Sequence, residues 1–142
     1  TDISPLKSLI GLQRLSLTRC EALTNIAPLQ HLTELPNLNL ARCEALTDIS
    51  PLRHLTGLQS LELWSCEALT DVAPLQALTG LQKLNLRYTK VTDIGPLKGL
   101  TGLHELCLDG TEVTDIRPLK GLTGLQELTL EVTKVTECGK CL

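Results

Sequence analysis

The chain has no phenylalanine and no methionine, and only one tryptophan (Trp64) and one tyrosine (Tyr88) among 142 residues. Globular cores use aromatic bulk to fill irregular space. An interior built without it must be regular enough for Leu, Ile and Val alone. No run of about 18 apolar residues occurs, so no membrane insertion is expected. Net charge is −3, which argues against a surface built to hold nucleic acid. The opening Thr1-Asp2-Ile3 lacks the charged and apolar regions of a secretory signal. No Ser/His/Asp arrangement, phosphate-cradling glycine loop or convergent ligand set is visible. The reading is therefore non-enzymatic, with no cofactor and no metal.

What the chain does contain is one phrase written six times. Its template is D-I-x-P-L-x-x-L-T-x-L-x-x-L-x-L, clearest from Asp115 to Leu130. Units run 2–24, 25–47, 48–70, 71–92, 93–114 and 115–136, within one domain, 1–142. The first three carry one residue more than the last three. They end in Cys-Glu-Ala-Leu-Thr (from Cys20, Cys43 and Cys66), whereas the last three end in Thr-x-Val-Thr (from Thr89, Thr111 and Thr133). The alternation in L-x-x-L-x-L predicts a short strand. The spacing of three in P-L-x-x-L predicts a helical or 3₁₀ turn, with proline tolerated at its start and the preceding Asp accepting its free N–H groups. Units that each return to their own start place their strands side by side and parallel, about 4.8 Å apart. No unit can bury its Leu face alone, so neighbours must cover it.

Period and pattern resemble the leucine-rich repeat, and the 22-residue D-I-x-P-L form is similar to the internalin-type subclass. The resemblance covers residues 2–136. It implies an α/β fold: a right-handed solenoid with short parallel strands on the concave face and 3₁₀ or short helical turns on the convex face. It also implies protein or peptide binding on the concave side. This chain departs from the pattern where Cys or Thr replaces the Asn of the turn. In the family that slot holds an inward polar side chain bonding the backbone, which one thiol or hydroxyl can also do.

Parallel side chains do not converge on a metal, and three cysteines cannot all pair. Free thiols are expected, favouring a reducing, cytoplasmic compartment, with an extracellular or secreted setting as the other reading. Cys138 and Cys141 overlay the Ile and Leu slots of the repeat, so residues 137–142 read as a degenerate seventh unit or tail. A metal half-site and a tail disulfide are the alternatives for that C-x-x-C. His31 and His54 fall in matching slots of the return side and read as solvated, and His104 lies beside a strand. The chain begins in mid-phrase without a polar cap, so a longer parent is expected.

Counting the first Leu of L-x-x-L-x-L as position 1, positions 3, 5 and 7 face outward and position 8 lies at the rim. Both large aromatics fall in this set, in adjacent units, and Trp, Tyr and Arg dominate binding hot spots. The candidate site is Trp64, Arg87 and Tyr88, flanked by Glu62, Lys83, Asn85, Arg42, Asp109 and Glu131. Arg87, one strand from Trp64, lies close enough for a cation–π contact with it. Charge is sorted along the face, with Arg14, Arg19 and Arg42 early and Glu105, Asp109, Glu127 and Glu131 late. The expected role is a protein-interaction module with an elongated protein or peptide ligand. A bacterial surface adhesin of internalin type, or the recognition arm of a larger enzyme or secreted effector, is the alternative. End-to-end self-association through open solenoid ends is a third.

Overall fold

The Asp or Asn that opens each unit captures the backbone N–H two residues on. Its Oδ1 accepts from Ser4, Ala27, Ser50, Ala73, Gly95 and Arg117 at 2.7–2.9 Å. Each bond sets the entry to a five-residue 3₁₀ turn with proline in its first two positions. Successive turns then close on apolar residues three apart: in the second unit Leu29 N donates to Ile26 O, Leu32 N to Leu29 O and Leu35 N to Leu32 O, at 2.9–3.1 Å. A 3₁₀ turn has three residues, so this spacing keeps Ile26, Leu29, Leu32 and Leu35 on one side.

A computed structural model gives this fold, and it describes residues 1–134. Each return segment leads into a three-residue strand: β1 (Arg14–Ser16), β2 (Asn37–Asn39), β3 (Ser60–Glu62), β4 (Lys83–Asn85), β5 (Glu105–Cys107) and β6 (Glu127–Thr129). They form one parallel sheet in sequence order. Register is unit on unit, so the central leucines Leu15, Leu38, Leu61, Leu84, Leu106 and Leu128 stack in a column. The chain is a leucine-rich-repeat solenoid, with strands on one face and 3₁₀ turns on the other. Helical structure among the described residues is all 3₁₀.

The middle units bury their Leu, Ile and Val almost completely, while Leu12, Leu15 and Leu17 of the first and Leu125, Leu128 and Leu130 of the last are partly buried. Each fully buried leucine contributes about 1.5–3 kcal/mol of transfer free energy. One irregularity interrupts the main-chain ladder. The residue before each of β3 to β6 donates its N–H to the preceding unit at 2.8 Å, Gln59 to Pro36 O, Gln82 to Gln59 O, His104 to Gln82 O and Gln126 to His104 O. Pro36 has no N–H to give. The Asn37 side chain supplies the bond instead, Nδ2 to Gln13 O at 3.3 Å.

The Cys and Thr turns satisfy their backbone differently. Cys43 Sγ reaches back to Leu17 O of the preceding unit at 3.3 Å, and Cys66 Sγ to Leu40 O at 3.1 Å. Thr89, Thr111 and Thr133 instead donate within their own units, to Leu86, Leu108 and Leu130 O at 2.7–2.9 Å. Cys20, Cys43, Cys66 and Cys107 are free thiols. Burial pushes Cys43 up to about 11 and Cys66 up to about 12. Cys138 and Cys141 lie outside the described residues.

Candidate functional site

The outward positions of β2 to β4 are short or polar, so the sheet face is hollow there. Arg14, Ser16, Asn37, Asn39, Gln59, Ser60, Glu62, Gln82 and Lys83 line a trough of about 540 Å³ floored by Leu15 and Leu38. Beside it, Trp64, Asn85, Arg87 and Tyr88 surround a second hollow of about 290 Å³. Of the expected site residues, the structure thus gathers Trp64, Asn85, Arg87 and Tyr88 in one place and sets Glu62 and Lys83 in the adjoining trough. Arg42 and Glu131 line neither hollow.

Two expectations about this face are corrected. Arg87 does not turn toward Trp64: its guanidinium lies over the Tyr88 ring, 5.8 Å from the centroid, and its Nε sits 2.9 Å from Asp109 Oδ2. That Nε makes no aligned hydrogen bond, so the contact with Asp109 is electrostatic. Asp109 is not a ligand-facing acid either. It is only 4 % exposed, and its Oδ1 accepts the Glu131 N–H at 2.8 Å. A short carboxylate one unit from Arg87 and one from Glu131 has nearer partners than solvent. At the centre of the face, Lys83 pairs with Glu105 at 2.8 Å.

Position 8 holds a feature that composition hid. Arg19, Arg42, Ser65, Tyr88 and Val132 all have φ of 57–64°, and Gly110 in the same slot has φ 68°. Left-handed geometry is rare for non-glycine residues and strained for β-branched ones. Gly110 was the one visible signal of it. What sets Gly110 apart is steric: a Cβ there would stand 2.4 Å from Tyr88 Cδ1 and 2.8 Å from Cε1. The Tyr88 ring occupies the space that the next unit's side chain would fill. Tyr88 stays 52 % exposed, held by Gly110 beneath it and Arg87 beside it.

Other polar groups on the face are tied to the backbone. Asn39 Oδ1 accepts Ala41 N–H at 2.9 Å, and Asn85 Oδ1 accepts Arg87 N–H at 3.1 Å. Glu62 is half-buried, which raises its carboxyl pKa, while the Asn85 amide bonds it and pulls the other way. Sequence reasoning passed over Gln59 and Gln82, which precede their strands yet reach the trough. It also gave no weight to Asn37 and Ser60, although their small size opens it. His31, His54 and His104 are exposed, and His54 Nε2 accepts from Arg53 Nε at 3.4 Å. Among the described residues no three His, Cys, Asp or Glu side chains gather as a metal ion would need, and no helix is long and apolar enough to cross a membrane.

The family described as leucine-rich repeats (two copies) matches residues 79–120. No curated protein sequence matches the chain. Among solved structures, an internalin (inlF) of Listeria monocytogenes is 39% identical with a TM-score of 0.89, covering 96% of this chain and 40% of its own. Internalin C2 of the same organism is 32% identical with a TM-score of 0.90, covering 98% and 60%. The ectodomain of the plant receptor kinase GASSHO1/SCHENGEN3 from Arabidopsis thaliana, in complex with Casparian strip integrity factor 2, is 25% identical with a TM-score of 0.73, covering 92% and 16%. The chain is a leucine-rich-repeat protein, and its repeats are internalin-like. It spans 40% and 60% of the length of those two internalins.

Proposed function

We propose that the chain is a protein-interaction module that takes a protein or peptide ligand on the strand face, anchored at Trp64, Arg87 and Tyr88. The observation that carries this reading is Tyr88 itself. A large aromatic is held half-exposed in a left-handed conformation, where its own unit would be less strained with glycine. The neighbouring unit gives up a side chain, at Gly110, to seat it. Core packing needs none of this. Rigid aromatics presented to solvent beside Arg are the chemistry of a hot spot, because little side-chain entropy is lost on binding. The plant ectodomain that the chain resembles is in complex with another factor, which supports a binding role for such repeats. An affinity capture with wild type, Trp64→Ala and the opposite-face control Arg53→Glu tests the reading. Trp64→Ala is expected to cost about 2 kcal/mol or more of binding. Loss confined to Arg53→Glu would place the ligand on the other face.

A further inference from the structure

The trough beside the aromatic hollow is lined by a carboxylate that has no ion pair of its own, Glu62, which meets only the Asn85 amide and the longer-range field of Lys83. Glu62 ends β3, and its register partners are Asn39 on β2 and Asn85 on β4, both neutral amides. The bases near it are committed elsewhere. Lys83 pairs with Glu105 at 2.8 Å and Arg87 with Asp109 at 2.9 Å. Arg14 sits on β1, two strands away, which is roughly 10 Å at the sheet spacing. No ion pair joins Glu62 to a base among the described residues. Its oxygens are partly desolvated, and the Asn85 amide only partly offsets that.

We infer that Glu62 and the amides around it form a docking site for one cationic side chain, the ammonium or guanidinium of a Lys or Arg on a protein ligand. The site rests on the proposed binding at the strand face and names what the ligand brings to it. A cation placed there gains a half-buried carboxylate whose desolvation the fold has already met, so the pair costs less to form than one assembled from solvated partners. A Lys ammonium carries three N–H donors and an Arg guanidinium five, with no acceptor. Glu62 takes one or two of these. The side-chain carbonyls of Gln59 and Gln82 and the Ser60 hydroxyl, all lining the same trough, are the acceptors for the remainder. An anion would meet the carboxylate head-on. An apolar side chain would bury Glu62 without a partner, which is unfavourable. The aromatic hollow adjoins through Asn85, which bonds Glu62 and lines the second hollow. A ligand with an apolar or aromatic residue near a basic one fits both at once.

The test uses the whole chain and a random 12-residue peptide library displayed on phage. Selection on wild type is expected to enrich Lys or Arg close to an aromatic or aliphatic residue. A synthetic peptide from that pool should bind Glu62→Gln roughly tenfold or more weakly than wild type. Replacing its basic residue with norleucine should cost the same, and the two losses should not add. Glu62→Asp, which keeps the charge, should retain most of the binding. Binding of the basic peptide should also weaken as pH falls and Glu62 takes up its proton. The charged groups facing Glu62 in that titration are Glu105 from β5 and Lys83 from β4, with Asn39 from β2 and Asn85 from β4 neutral. Peptides that lose affinity on Trp64→Ala but carry no basic residue, or ignore Glu62→Gln, would overturn the cation site and leave the strand-face reading standing. A selection that enriches nothing, or only peptides indifferent to both variants, would overturn both.

Discussion

Gly110→Ala tests the arrangement of the site without any ligand. Two costs separate cleanly. The first is conformational: alanine in the left-handed region costs about 1 kcal/mol relative to glycine. That cost is local to the turn, and the slot tolerates it, since Arg19, Arg42 and Ser65 already sit there with φ of 57–64°. The second is steric. The new methyl would stand 2.4 Å from Tyr88 Cδ1, far inside van der Waals contact. The Tyr88 ring is 52 % exposed and can yield toward solvent under the new methyl, so this cost falls at the low end of overpacking, about 1 kcal/mol. Gly110→Ala should therefore lower stability by about 2 kcal/mol in wild type and about 1 kcal/mol in Tyr88→Ala. Urea unfolding of the four proteins, compared at constant m-value, reads the difference as a coupling of about 1 kcal/mol, outside the ~0.3–0.5 kcal/mol scatter of independent sites. Emission from Trp64, the only tryptophan, should shift in Gly110→Ala and not in the matched control Ser65→Ala. Equal losses in both backgrounds would refute the claim that Gly110 seats the ring.

Three further outcomes follow from the same geometry. Val132 is β-branched, 86 % exposed and at φ 58°, so Val132→Gly should raise stability by about 1 kcal/mol in thermal or urea unfolding; a loss would mean its side chain holds the turn. Pro36→Gln restores the missing N–H to the ladder and should add about 1 kcal/mol, with faster exchange at neighbouring amides counting against it. Cys43 and Cys66 should resist alkylation at neutral pH while Cys20 reacts, mapped by mass spectrometry. Their folded pKa values, about 11 and about 12, stand above that of an unfolded thiol near ~8.5. Ionisation therefore favours the unfolded chain once pH passes about 9, and stability should fall with rising pH until the folded thiols themselves titrate. Cys43→Ala/Cys66→Ala should flatten that alkaline limb.

Periodicity carried the fold because a solenoid repeats one solution. The spacing of Ile26, Leu29, Leu32 and Leu35 is the 3₁₀ period written in letters, and the five strand registers follow from six aligned leucines. The site was legible only as far as side-chain direction. Alternation correctly sent Trp64, Asn85, Arg87 and Tyr88 to the same face. It could not say that Asp109, on that face too, would be buried by Arg87 and the Glu131 backbone. Nor could it say that Arg87 would choose Asp109 and Tyr88 over Trp64, because that choice depends on ångström-scale competition between neighbours in adjacent units. The trough escaped notice for a different reason. It is made by the small size of Ser16, Asn37 and Ser60, and a hollow is the absence of a side chain rather than the presence of one. Left-handed φ at position 8 left a trace only at Gly110, since five other units fill the slot with residues that normally avoid it.

The turn that follows position 8 explains how such residues survive there. In the third unit, Cys66 Sγ ties the turn to Leu40 O of the unit before, and Leu69 N closes on Cys66 O at 3.0 Å. In the fourth, Thr89 is spent within its own unit on Leu86 O, and the tie to the unit before passes to the main chain, Lys90 N to Leu69 O at 2.9 Å. Glu112 N repeats it to Val91 O at 3.1 Å. The turn that drops a residue thus replaces a side-chain tie with a backbone one, which no substitution short of proline removes. Tyr88 stands immediately before that turn, with its own N–H on Asp109 O at 2.8 Å and the next N–H on Leu86 O. Strain at a single residue persists when the surrounding bonds over-determine its conformation, and here they come from three units. The left-handed tyrosine is therefore fixed by bonds that do not involve its ring. The ring can be exchanged without disturbing the turn, so a loss of binding in Tyr88→Gly, with stability held or raised, would report on the ring alone.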